Sequence, residues 1–301
     1  MRSALFKSFV KSAIIVLFSG ENLRKGEKMK KLLTVLLSLL VVLTIAGCAK
    51  KEKPAPAPEA ETPAEETPAE TPAEEVKVST YEEFAALPTD GSAVVTIEAY
   101  VQAAQNYDGT TASLYLQDKD GAYFVYGAQL SEEDYAKIVE STDMKEGWKG
   151  TGNGTKVQVT GTKSEWSGEV ELMDATVTVI DDGDKYIAEA ADITASLPTD
   201  PAASMNQKVA FKDMTVVAAN DAGDAFIYNW DGSGVEGDDV YFNVEKDGMT
   251  YTFLVESALC HIGSDVYEAA RALEVGQTID MEGFLYWYEG PQPHITSITV
   301  K

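Results

Sequence analysis

From Val78 onward the chain alternates apolar and polar residues with a period of two in a series of short runs, and twice the period lengthens to that of a helix. Val94–Ala103, Ser113–Gln117 and Ala122–Tyr126 read as strands. The last two are joined by Asp118-Lys119-Asp120-Gly121, a hairpin turn in which glycine is expected to supply a positive φ. Ser131 then opens a helix to about Glu140, with a hydroxyl at the N-cap, acids in the first turn, and Tyr135, Ile138 and Val139 along one face. Lys156–Gly161 and Glu169–Ile180 follow as strands around the turn Ser164–Gly168. The same order then returns as Lys208–Val217, Asp239–Val244, Thr250–Glu256, a helix from about Ser264 to Leu273, Gln277–Leu285 and His294–Val300.

Three anchors recur in the same order and predict an internal duplication. Leu87-Pro88-Thr89-Asp90 returns as Leu197-Pro198-Thr199-Asp200, and Lys119-Asp120-Gly121 as Lys246-Asp247-Gly248. The stretch from Gly154 is echoed from Gly276. Strands in the order β-β-β-α-β-β suit the OB-fold, a small Greek-key barrel. The expectation is therefore an all-β protein of two tandem OB-fold-like five-stranded Greek-key barrels, each with one helix between strands 3 and 4. The first domain spans 78–196 and the second 197–301. The residues LYLQDKDGAYFVYG, a helix, and then GTKVQVTGTKSEWSGEVEL resemble the OB-fold domains of secreted and surface-anchored bacterial proteins. That resemblance implies a fold and leaves the function open. Immunoglobulin-like sandwiches need about seven strands and no helix, which these repeats do not supply.

Before Val78 the pattern changes. Met29-Lys30-Lys31 precedes an apolar run from Leu32 to Ile45 that ends in Ala46-Gly47-Cys48. A basic start, an apolar stretch short for a membrane span, and small residues before a cut describe a secretory signal over 29–48. Its ending resembles the lipobox of bacterial lipoproteins. The resemblance implies that Cys48 is diacylated and becomes the first residue of the mature protein, on the extracytoplasmic face of a bacterial membrane. Residues 1–28 are expected to be a mis-annotated upstream extension, because Gly26-Glu27-Lys28 before Met29 reads back as a purine-rich ribosome-binding site. Residues 49–77 repeat Pro, Glu, Thr and Ala without an aromatic, so they cannot bury enough apolar area to fold and are expected to form a disordered stalk. At about 3.1 Å per residue, such a segment reaches roughly 80 Å when stretched.

The charge and the scarcity of reactive side chains narrow the chemistry. From Val78 to Lys301 there are 12 Lys and Arg against 39 Asp and Glu. With two cysteines in all and Cys48 lipidated, no intramolecular disulfide can form, and a buried Cys260 thiol is the plain expectation. With His261 and His294 alone, no His/Cys metal centre can be assembled, and nothing calls for a cofactor. Nucleophile elbows, zinc-binding helix motifs and phosphate-cradling loops are absent, so no enzyme is expected. Acid-rich turns at Asp118/Asp120, Asp181–Asp184, Asp221/Asp224 and Asp231 with Glu236–Asp239 are the oxygen-rich kind that calcium uses, but none matches an EF-hand loop, and solvated turns explain them.

Binding is left. OB-folds bind on the face of strands two and three, flanked by two loops. By position, the first repeat offers Tyr107 and Trp166 in those loops, with Tyr115, Tyr123 and Tyr126 on the strands. The second offers Phe226, Tyr228 and Trp230 in an enlarged loop, Asn220–Gly237, and Tyr286, Trp287 and Tyr288 in its last loop. Tyr107, Trp166, Tyr228, Trp230, Trp287 and Tyr288 are the candidate ligand-binding residues, with at least half of the rings in these loops and strands expected to pack in cores or between domains. Single-strand binders need a basic groove, and the second repeat has 5 Lys and Arg against 17 acids, which sets nucleic acid aside. The expectation is a lipid-anchored, non-catalytic binding or scaffolding module for an envelope protein or glycan. The alternatives are an OB-fold single-strand nucleic-acid binder and a calcium-dependent envelope binding protein.

Overall fold

One long strand organises the first half. In the computed structural model, which describes residues 76–141 and 150–301, β1 (Asp90–Gln105) pairs antiparallel with β4 (Thr155–Trp166) over Asp90 to Tyr100 and with β2 (Thr111–Gln117) from Tyr100 on. Its register with β2 shifts between Val101 and Ala103, a bulge that bends the strand just after it changes partners. β3 (Ala122–Gln129) returns antiparallel to β2. Parallel pairing of Phe124 with Glu171 and Val125 with Leu172 then joins it to β5 (Glu169–Lys185). The ring β1-β2-β3-β5-β4 is closed, so this five-stranded OB-fold-like barrel has no free edge. Ile97, Val101, Leu114, Leu116, Val159 and Leu172 fill its interior.

Two short helices close the ends. α1 (Tyr81–Ala85), which strand-period reasoning does not find, starts in a reciprocal capping box between Thr80 and Glu83 and turns Phe84 inward, edge-on to Tyr123 at 4.9 Å. Lys163 reaches under it from β4. Its ammonium donates to the carbonyls of Phe84, Ala85 and Leu87 at 2.9, 3.1 and 2.8 Å, ending the helix with a buried cation. α2 (Glu132–Ile138) lies between β3 and β4 as expected, with Ser131 Oγ accepting from Asp134 N.

The second half is a seven-stranded sheet. β6 (Ala191–Asp192) and a 3-10 turn (Pro201–Ser204) precede β7 (Lys208–Val217). β8 (Phe226–Tyr228), β9 (Val240–Lys246), β10 (Met249–Val255), α3 (Asp265–Arg271), β11 (Thr278–Phe284) and β12 (His294–Val300) follow. The strand order is β6-β7-β11-β12-β10-β9-β8, and β7 also pairs with β9 through Thr215, Val216 and Val217. β7 and β12 have the bounds the alternation predicts, whereas β8 forms inside the stretch expected to be a loop. α3 is capped by Ser264 and sends Val266, Tyr267 and Ala270 into the core.

The two Lys-Asp-Gly turns differ. Asp247 and Gly248 have φ of 52° and 80°, the two-residue hairpin geometry expected of both. Gly121 does not take a positive φ, which corrects that expectation for the first repeat. There Asp118 Oδ1 accepts from the amides of Asp120 and Gly121, and the missing side chain serves a different purpose: a Cβ on Gly121 would lie 2.1 Å from the Tyr81 ring.

The outer face of β2 and β3 is covered. Tyr115 and Phe124 leave the first barrel and join the core of the second half, Tyr115 stacked on Phe284 at 4.3 Å and Phe124 edge-on to Tyr286 at 5.3 Å. Tyr123 points the other way, into the first barrel. Among the described residues no helix is long and apolar enough to cross a membrane. The expected extension, signal, Cys48 lipidation site and most of the stalk lie outside the described residues.

Candidate functional site

Where the packed face ends, the two halves diverge and leave a cleft of about 630 Å³. Its walls are aromatic: Tyr126 from β3, Trp166 from the end of β4, Trp230 beyond β8, Tyr241 on β9, and Tyr286 and Tyr288 after β11. Trp230 and Trp166 are 77% and 53% exposed, unusual values for the largest apolar side chain. A clamp sets the wall around Trp166. Ser167 and Gly168, with φ of 52° and 93°, turn β4 into β5. The Ser167 carbonyl accepts from Glu289 N at 2.8 Å, and Trp166 leans on Tyr288 with ring centroids 5.2 Å apart.

The floor is polar. Gln105, 4% exposed at the end of β1, donates through Nε2 to Glu256 Oε1 at 3.5 Å. His294 Nδ1 meets the buried Tyr115 hydroxyl at 2.8 Å and lies 3.0 Å from Glu256 Oε2, in ion-pair range but without hydrogen-bond geometry. Gln105 Oε1 and Glu256 Oε2 are consequently buried acceptors with no donor from the protein. Asp239 accepts from the amide and hydroxyl of Ser257, which fixes it at the rim. Burial, aided by Asp239 and Glu256, raises the Tyr241 phenol to about 12, so it stays a neutral donor. None of the described residues lining the cleft is Lys or Arg.

Beneath the clamp lie two more carboxyls. Glu169 is fully buried; its Oε2 accepts from Trp287 N at 2.8 Å and its Oε1 has no partner. Burial lifts its pKa to about 8, against the opposing pull of bonds from Asn206 and Trp287, and burial lifts Glu171 to about 7. Both are oriented into the junction of the halves.

The cleft brings together Trp166, Trp230 and Tyr288 of the residues singled out from sequence. The others stand elsewhere. Tyr107 stacks on Tyr135 of α2 at 3.9 Å, Tyr228 packs on the second core beside Phe226, and the Trp287 ring lies against Gly168. Gln105, Glu256 and His294 were not singled out. Polar residues at strand ends carry no periodic signal, and only the packing of the halves makes them neighbours. The acidic turns are occupied by their own chain: Asp118, Asp182 and Asp231 each accept from a backbone amide two residues on.

No protein-family model matches the chain, and no curated protein does. Among solved structures it is similar to the Ifi202 HINa domain in complex with 20-base-pair double-stranded DNA: 14% identity, 69% of this chain and 98% of that one, TM-score 0.28. It is also similar to a murine DNA-binding protein bound with double-stranded DNA (12%, 68% and 94%, TM-score 0.31) and to p202 HIN1 with a 12-mer duplex (12%, 68% and 91%, TM-score 0.28). Likeness at this level assigns neither ligand nor surface to this chain. It does correct one expectation. Nucleic acid was set aside on charge, yet these similar OB-fold-like domains have DNA bound, so that exclusion is withdrawn and nucleic acid enters the tests below.

Proposed function

We propose that the protein is a non-catalytic binding module of OB type that takes its ligand in the aromatic cleft. Exposure of Trp166 and Trp230 on opposite contributions to one concave, ring-walled site carries this reading. Aromatic walls with a few convergent polar groups are what small ligand sites have in common. The second half is read as a barrel of the same type: the β7–β9 pairing supports this, because β7-β11-β12-β10-β9 and back to β7 repeats the order of the first. Domains of 78–196 and 197–301 follow from that reading. The lipobox-like ending at Cys48 supports presentation on the extracytoplasmic face of a bacterial membrane, where two acyl chains suffice for stable anchoring. Incorporation of labelled palmitate that Cys48→Ala abolishes tests the anchor; equal labelling of both chains contradicts it.

A second reading rests on the rings themselves. Exposed Trp and Tyr faces on an OB-type barrel suit the stacking of unpaired bases, whose exocyclic amino groups can donate to carboxylates such as Glu256. Isothermal titration calorimetry separates the two. The protein is titrated with tryptamine, a mixed-sequence single strand and its duplex, each at low and high salt. A saturable change with tryptamine that disappears in the W166F/W230F double variant supports a small-ligand site. Saturation by the single strand that collapses with salt supports the second reading. Flat traces with all three contradict the cleft as a binding site.

A further inference from the structure

We infer that the cleft floor selects a small organic cation bearing N–H donors, a guanidinium or a primary ammonium; this rests on the cleft being the binding site. Gln105 Oε1 and Glu256 Oε2 are two buried acceptors, side by side on the floor, that no protein group satisfies. A buried acceptor left unpaired is costly, and a carboxylate oxygen most of all, so the arrangement favours a ligand that brings donors of its own. The groups around it all point to the same sign of charge. Glu256, Asp239 and Glu289 line the cleft without a lysine or arginine among its described residues, and the chain as a whole carries −25. His294 does not supply the missing donor, because its Nδ1 is engaged with Tyr115. The walls add attraction of a second kind: Trp166, Trp230, Tyr286 and Tyr288 offer π faces, which hold cations.

The floor and the walls make separable demands. Walls alone would accept any cation, including one without N–H groups. The floor requires donors, and Glu256 can pair with a guanidinium while Gln105 Oε1 takes a further N–H. The site therefore ranks butylguanidine above tetramethylammonium, although both carry one positive charge at neutral pH.

Calorimetric titration of the full chain with butylguanidine, tetramethylammonium and the neutral butylurea tests this. The expected result is saturable butylguanidine binding at least ten-fold tighter than tetramethylammonium, with no measurable heat from butylurea. E256Q should weaken butylguanidine ten-fold or more while leaving tetramethylammonium within about three-fold, and Q105L should weaken butylguanidine by a smaller factor. Circular dichroism melts of both variants show whether the fold is kept; should E256Q not fold, Q105L and the butylguanidine-to-tetramethylammonium ratio in the wild-type chain decide. Equal affinity for the two cations, or butylguanidine binding unchanged in Q105L and E256Q, overturns the inference. So does a site that takes a single strand through Trp166 and Trp230 but neither butylguanidine nor tryptamine, an outcome that leaves the cleft standing as a binding site.

Discussion

The first half closes into a five-stranded barrel, the second spreads as a seven-stranded sheet, and the two differ in what fills their ends. In the first, α1 and Lys163 seal the barrel, Phe84 and Tyr123 meet edge to face, and the bare Cα of Gly121 lets Tyr81 lie flat on the turn. In the second, the segment before β7 is a 3-10 turn with no buried residue, and the stretch between β7 and β9 carries only a three-residue strand before Trp230 swings into the open. One half is thus sealed and the other carries a long aromatic loop. The site arises where the loop of the second overhangs the β4–β5 clamp of the first.

The junction is where the comparison breaks most visibly. Tyr115→Ala removes a fully buried ring stacked on Phe284 and bonded to His294, at a cost of ~3–5 kcal/mol. Urea unfolding is expected to show that loss. A change below 1 kcal/mol would mean the halves do not share this core. Lys163→Met tests the seal of the first half alone. It removes the ammonium that the Ala85 and Leu87 carbonyls accept from, while Phe84 O keeps the Leu87 amide, and should cost about 2 kcal/mol, read from the same curves. An unaltered midpoint would show that the buried ammonium contributes nothing net.

pH sharpens the comparison further. Glu169, with a pKa raised to about 8, is neutral in the folded protein and ionised in the unfolded chain above the ordinary carboxyl value. Its contribution is therefore present in full at low pH and lost as pH rises through about 8, and Glu171 adds in the same direction up to about 7. The melting temperature should fall by several degrees between pH 5.5 and 9, and Glu169→Gln should flatten that fall. An equal slope in the variant would contradict the assignment. Smallest is the glycine pair. G121A must displace the Tyr81 ring and should cost about 1–3 kcal/mol, whereas G248A meets open space and pays only for its φ of 80°, about 1 kcal/mol. The reverse ranking in thermal melts would mean that the two turns are interchangeable after all.

Much of this architecture is written in local pattern. Period-two alternation places β7 and β12 at their true bounds, and the N-cap serines 131 and 264 locate both central helices, because each signal is a property of neighbouring residues. α1 escapes, since five residues are too few for a periodic stripe. Trp166, Trp230 and Tyr288 are legible as loop aromatics. Tyr107, Tyr228 and Trp287 look the same in sequence yet pack on Tyr135, the second core and Gly168, because ring exposure is decided by partners far along the chain. The floor was illegible for the same reason: Gln105 and Glu256 are 151 residues apart and become a pair only through the junction.

Placement of the ligand is the central claim, and the indole N–H signals of the four tryptophans report on it directly. Each signal is assigned by a Trp→Phe variant in a two-dimensional nitrogen–proton spectrum, and butylguanidine and tryptamine are then titrated in turn. The account predicts that the Trp166 and Trp230 signals move together and saturate at one ligand concentration, while Trp287, packed on Gly168, moves little. Movement confined to Trp287, or none at Trp166 and Trp230 under saturating ligand, would contradict it.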